Sequence, residues 1–283
     1  MQNLSSWPTS KTAQEAILDD LRQRVRQIER GSSQQRSTAH HQADLDLGYA
    51  PIDRRLGPHG LARGRVHEII GEGWSTVRDG ATFGFTAALI ARLQSRFPQG
   101  QVLWCGRATG LYGGRPYGRG LAQLGVDPGR LLWLDGGSQD DRLWAFEEGL
   151  RTPGLLAAVL EAPPSKRRAG GVDTTIARRL QLAAEAGASH GFVIRPEDSG
   201  VSLNGLVESR WRVRAAAGPR HNWWPSWQLE LLRARSQQLG QWQVTWNPQA
   251  RCLNSTATLT AETPHHIPQA NTRSSAGNGR VAA

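Results

Sequence analysis

A phosphate-transfer loop is the first chemistry to look for in a chain rich in short buried runs, and its key residue is missing. A GxxxxGK[ST] loop cradles phosphates with backbone amides and reaches the terminal ones with a lysine at a helix start. The chain has only two lysines. Lys11 precedes the first expected helix and Lys166 follows a pair of prolines. Neither stands where such a loop needs it.

Other residue types suggest binding more than catalysis. Pro163-Pro164-Ser165-Lys166-Arg167-Arg168-Ala169-Gly170-Gly171 gathers three adjacent cations that could meet phosphates, or form a solvated loop stiffened by prolines. Arg210-Trp211-Arg212-Val213-Arg214 alternates strictly, which puts Arg210, Arg212 and Arg214 on one strand face and Trp211 with Val213 on the other. Trp223 and Trp224 follow, and six of the eleven tryptophans lie between Trp211 and Trp246. Three readings stay open for this region: core packing, a protein interface with aromatic and arginine anchors, or stacking of single-stranded bases. The segment Glu197–Leu206 carries two acids, Glu197 and Asp198, and is a weak candidate for nucleic-acid contact. His40-His41 and His265-His266 lack a second pair of ligands at metal spacing, so no metal is expected. Cys105, at the end of an apolar run, reads as a packed thiol.

The elements that would position these residues alternate. Arg65–Ile70, Gln101–Cys105, Leu131–Asp135, Leu155–Leu160 and Gly191–Arg195 have the apolar runs of buried strands. Thr82–Ser95, Pro116–Leu124, Asp140–Arg151 and Thr174–Ala186 between them have helical patterning. Such alternation implies an α/β domain whose mostly parallel sheet is covered on both faces. Leu206–Arg214, Ser226–Arg235 and Gln241–Trp246 are expected as a C-terminal meander of antiparallel strands. In front of the domain, residues 11–30 form an amphipathic helix with a narrow stripe of Ile17, Leu21, Val25 and Ile28. A polar linker follows it. The expected organisation is a docking helix and linker over 1–44, one domain over 45–250 with Trp/Arg-rich strands over 206–247, and a disordered tail over 251–283.

Composition limits the setting. The formal net charge is +10, which suits a polyanionic partner, although a basic set made almost wholly of arginine also follows from genome base composition. Two cysteines exclude a disulfide framework and fit a reducing, cytoplasmic compartment. No apolar run approaches the ~20 residues that span a bilayer, and the N-terminus lacks the pattern of a secretion signal.

The stretch LGYAPIDRRLGPHGLARGRVHEIIGEG, Leu47–Gly73, resembles the approach to the RecA recombinase core. Leu124–Leu132, LGVDPGRLL, resembles another recurrent RecA-like segment, and the register of strands and helices agrees as far as Pro196. The resemblance implies a RecA-like, P-loop-type core. It also marks four departures at the positions of nucleotide chemistry. After Gly71, Thr76 and Val77 stand where the second glycine and the lysine belong, with extra residues expected before the helix. Arg107 replaces the water-activating glutamate and cannot accept a proton at working pH. Glu161 ends the Walker-B-like strand in place of aspartate, and Arg195-Pro196 replaces the glutamine that senses the γ-phosphate. The chain is therefore expected to be no enzyme and to bind no cofactor.

Leu111–Val126, Thr175–Pro196 and Leu229–Trp246 carry a closer resemblance, to the ImuA family of RecA-like accessory proteins from a bacterial mutagenesis cassette. That resemblance implies a non-catalytic role in DNA-damage-induced, error-prone translesion synthesis. Its implied partners are a Y-family polymerase-like protein and an error-prone replicative-type polymerase; RecA is a further candidate partner on fold similarity, since a RecA-like unit could pack against the end of a RecA filament. The alternatives are a divergent RecA-like ATPase using Glu161, and a module that binds single-stranded DNA.

Overall fold

The computed structural model describes residues 45–57, 60–71, 76–106, 116–134, 137–162, 174–197, 207–219 and 223–256. Among the described residues, nine strands form one sheet: β1 (Val66–Gly71), β2 (Gln101–Cys105), β3 (Leu131–Leu134), β4 (Leu155–Glu161), β5 (His190–Pro196), β6 (Ser209–Ala215), β7 (Ser226–Ala234), β8 (Gly240–Asn247) and β9 (Cys252–Ser255). Their order across the sheet is β3-β2-β4-β5-β1-β6-β7-β8-β9. Neighbours are parallel from β3 through β6 and antiparallel from β6 through β9. The chain is thus a mixed α/β protein with a mostly parallel centre and antiparallel C-terminal strands. β6, expected as the first strand of a meander, instead lies parallel to β1 and extends the parallel set.

Among the described residues, α1 (Ala50–Leu56) precedes β1, and α2 (Thr76–Arg96), α3 (Gly118–Gln123), α4 (Gln139–Arg151) and α5 (Thr174–Gly187) join successive strands. Two apolar clusters lie on opposite faces of the sheet. One gathers Phe85, Ala88, Ile90 and Leu93 of α2 with Ile69, Trp104, Val159, Trp211 and Leu229. The other sets Phe146 and Leu150 of α4 and Leu180 and Ala184 of α5 against Val66, Leu103, Leu160 and Val193. α2 is apolar around most of its circumference because it is enclosed. The sheet supports it from below, Trp227 of β7 abuts Gly84, and Trp246 Nε1 donates to the Leu124 carbonyl at 2.9 Å, joining β8 to the end of α3. α4 starts at a capping box in which the Ser138 and Asp141 side chains reciprocally accept backbone N–H groups.

Three further elements differ from expectation. α2 begins at Thr76, not Thr82, because Gly80 and Gly84 break the apolar periodicity of its first turns. α1 was not foreseen: its seven residues follow an uncapped Tyr49, and Asp53, Arg54 and Arg55 leave Ile52 as its buried residue. β9 lies in the segment assigned to the tail, and the burial of Leu253 against the core explains why the chain is held there. Residues 1–44 and 257–283 lie outside the described residues. Among the described residues, no helix is long and apolar enough to cross a membrane.

Candidate functional site

In an open α/β sheet, ligand chemistry collects beyond the carboxyl ends of the parallel strands, where successive crossovers leave toward opposite faces. Here β2 leads to α3 beside α2, while its neighbour β4 leads to α5 on the other face. That divergence marks the crevice at Cys105-Gly106 and Glu161.

Aromatic side chains occupy this crevice. Trp104 and Trp133 stack at 5.7 Å between ring centroids, and Phe83 of α2 lies 4.8 Å from Trp104. The backbone must run close to these rings: a Cβ on Gly106 would come within 2.4 Å of the Trp133 ring, so only glycine fits. Glu161 is half-buried and accepts a hydrogen bond from Trp104 Nε1 at 2.8 Å. Burial pushes the Cys105 thiol well above its ordinary range, which leaves it protonated and unreactive.

On the opposite face a chain of charges crosses four strands. Glu68, in the middle of β1, is fully buried and gripped by Arg195 Nε from β5 and Arg210 Nε from β6. Arg195 also donates to the carbonyls of Pro196 at 3.0 Å and Glu197 at 3.4 Å. Arg212, two residues along β6, lies between Glu197 and Glu230, its cross-strand partner on β7. Hydrogen bonding by Glu197 holds the Arg212 guanidinium charged more firmly than usual. Burial of Glu230 favours its neutral form, but hydrogen bonds from Arg212 and Gln241 outweigh it and leave the carboxyl below its ordinary range. The charge of Arg214 acts in the same direction.

A second polar cluster lies at the amino ends of β1 and β5. His67 Nδ1 is 2.8 Å from Ser209 Oγ, and Nε2 is 3.1 Å from the Ala62 carbonyl oxygen. His190, stacked 6.2 Å from His67, is fully buried, and neither ring nitrogen has a hydrogen-bond partner. Burial, then the charges of His67 and Arg63, hold its pKa well below the ordinary histidine value. No group of histidines, cysteines and carboxylates that could hold a metal ion occurs among the described residues.

The residues singled out in the sequence separate as follows. Gly71 is the buried last residue of β1, and its carbonyl accepts from Glu197 N at 2.8 Å. Thr76 and Val77 open α2, so only residues 72–75 separate it from β1 and the expected extra residues before the helix are not there. The two glycines in the first turns hid this early start. Arg107, Lys166, Arg167 and Arg168 lie outside the described residues, as do Ile17, Leu21, Val25 and Ile28. Arg210, Arg212 and Arg214 share a partly buried face opposite Trp211 and Val213, as their alternation requires. Arg210 and Arg212 are ion-paired on that face. Trp211, Trp227 and Trp246 are core residues, Trp242 packs at the edge of the core, and Trp223 is exposed.

Glu68 was missed by the sequence reading. Its signal was present: a carboxylate inside VHEIIG cannot be buried without cations to hold it. Those cations lie 127 and 142 residues away, and no local pattern points to them.

No family model matches the chain. It is similar to Protein ImuA of Caulobacter vibrioides strain NA1000/CB15N, at 32% identity over 211 residues, covering 70% of this chain and 81% of that protein. Protein ImuA of the strain designated ATCC 19089, CIP 103742 and CB 15 matches with the same identity and coverage. On that identity, over most of both lengths, the chain belongs to the ImuA family.

Proposed function

We propose that the chain is a cytoplasmic, RecA-like accessory protein of DNA-damage-induced translesion synthesis, with no catalysis of its own. It acts through contacts with error-prone polymerase components: a Y-family polymerase-like protein and a replicative-type polymerase. RecA is a further partner. Membership of the ImuA family supports the mutagenesis setting, and a parallel sheet with helices on both faces supports the RecA-like reading.

One observation carries the non-catalytic part. Arg195 stands where the RecA resemblance places a sensor of the γ-phosphate, yet it is only 6% exposed and is held by the buried Glu68. A side chain fixed in the sheet by an ion pair cannot turn to a nucleotide without giving up one of the two cations that hold the buried Glu68, which is costly in so dry a site. Glu161, at the Walker-B-like position, is engaged by Trp104, and the segment from Gly71 to Gly80 has no lysine. Two positions that would serve phosphate chemistry, Arg195 and Glu161, are instead engaged by Glu68 and Trp104.

Calorimetric titration of the full chain with Mg²⁺-ATP, repeated with a non-hydrolysable analogue, tests the proposal. No binding is expected at millimolar nucleotide. Micromolar binding would overturn it and make turnover the next measurement.

A further inference from the structure

Many arginines of the described residues are committed to the fold. Arg195, Arg210 and Arg212 are ion-paired across the strands, Arg92 and Arg96 hold Asp46, and Arg130 donates to the carbonyls of Gln94, Phe97 and Gly100. Arg54, Arg55 and Arg235 are different. All three are exposed, and among the described residues none enters a hydrogen bond or ion pair through its side chain. Arg54 and Arg55 lie in the last turn of α1, and Arg235 opens the turn between β7 and β8. Ser236 Oγ donates to the Arg55 carbonyl and so ties that turn to the end of α1, although the two residues are 181 apart in the chain.

Between these two elements lies an open cleft of about 620 Å³, lined by Asp53, Arg54 and Gly57 on the α1 side and by Ser236 and Gln238 on the turn side. Its size falls within the ~300–1,000 Å³ of ordinary ligand sites. The walls are set before any ligand arrives. Asp53 accepts from Leu47 N at 2.7 Å and Tyr49 N at 3.0 Å, which fixes the entry to α1. Gly57 ends α1 at φ 132°, a conformation that favours glycine, and Gln237 N donates to the Ala234 carbonyl at 3.0 Å within the turn. Asp53, the carboxylate of the lining, is thereby engaged by backbone amides. Asp46, close enough to act on Asp53, is offset by Arg92 and Arg96. The cleft is left with a surplus of positive charge.

We propose that this cleft is a docking site for an acidic peptide segment of a partner protein, with Arg54 and Arg235 pairing to its carboxylates. Guanidinium forks match carboxylates through bidentate hydrogen bonds, so uncommitted arginines around one cleft select for that chemistry. A polypeptide is favoured over a nucleic acid because none of the described residues lining the cleft is aromatic, and bases find no stacking platform there. Leu239, next to Gln238 and 51% exposed, offers an apolar contact instead. A second copy of the chain is disfavoured as the occupant, since each copy carries +10. The site stands whichever partner supplies the segment, and it rests only on the reading above that the chain acts by protein contact.

Fluorescence anisotropy of the full chain with the fluorescein-labelled peptide DELLDE, amidated at its carboxyl end, tests the proposal. Binding is expected below millimolar peptide. It should weaken at least tenfold in Arg54→Glu and stay within twofold in Arg178→Glu, which makes the same charge change at an exposed position of α5. Arg235→Glu should match Arg54→Glu, and because it leaves α1 unaltered it decides the matter if Arg54→Glu fails to fold. The neutral peptide NQLLNQ should not bind. No binding of DELLDE at millimolar concentration, equal binding of NQLLNQ, or an equal loss from Arg178→Glu would overturn the proposal. Displacement of the peptide by oligothymidylate in a manner that depends on Arg54 would also overturn it, by making the cleft a phosphate site. Failure here would leave the nucleotide titration unchanged, so the two proposals fail separately.

Discussion

Glu68 and His190 are both fully buried polar residues on adjacent strands, and the structure treats them in opposite ways. Glu68, facing α4 and α5, is held by two arginines from the flanking strands. His190, on the face that also carries His67 and Phe192, has no hydrogen-bond partner. A carboxylate cannot be buried ionised without cations, whereas an imidazole can be buried by giving up its proton. One face of the sheet therefore stores its polarity as an ion-pair network, and the other stores it as a suppressed charge. The first is broken by mutation and the second by acid.

The largest expected effect follows from removing the shared anion. Glu68→Ala leaves Arg195 and Arg210 without their counter-charge and should cost about 3–5 kcal/mol in urea unfolding. Replacing all three together, by Glu68→Leu, Arg195→Met and Arg210→Leu, should recover most of that loss, because well-packed apolar residues commonly match a buried ion network. If the triple variant is as unstable as Glu68→Ala, the network contributes more than charge compensation.

Next is the acid response of the other face. His190 titrates below the ordinary value in the folded chain, so below about pH 6.5 the unfolded chain binds a proton that the folded one refuses. Stability should hold above that pH and fall below it, by at most about 1.4 kcal/mol per pH unit from this residue. His190→Phe should remove that slope while keeping the ring contact with Phe192, as pH-dependent chemical denaturation would show. An unchanged slope would assign the acid sensitivity to other groups.

The smallest effect belongs to the outer end of the network. Arg212 is 21% exposed and pairs with a Glu197 that is 38% exposed, so solvent screens the interaction. Arg212→Ala should cost about 1 kcal/mol or less and should cost less still in high salt. A loss as large as that for Glu68→Ala would mean that the whole chain of charges acts as one unit.

The contrast also explains what the sequence could reveal. Gln101–Cys105 was readable to the residue because an uninterrupted apolar run between polar neighbours has one economical fate. The alternation of Arg210 through Arg214 likewise settled which side chains share a face. The partners of those arginines were not readable, since Glu68, Glu197 and Glu230 meet them only through strand order. Burial of Trp211, Trp227 and Trp246 likewise depended on α1, α2 and the edge of β9 closing over one face, and two of those boundaries were misplaced by glycines or weak caps. The aromatic filling of the crevice at Trp104, Trp133 and Glu161 needed the pairing of β2 with β3 and β4.

We propose that this chain works by protein contact, with Arg195 and Glu161 engaged within the fold rather than by a nucleotide. The most direct test is sedimentation of the full chain with the Y-family polymerase-like protein proposed above as its partner, with and without saturating Mg²⁺-ATP. A complex of the same affinity is expected in both conditions. A complex that forms only with nucleotide, or dissolves on its hydrolysis, would contradict it.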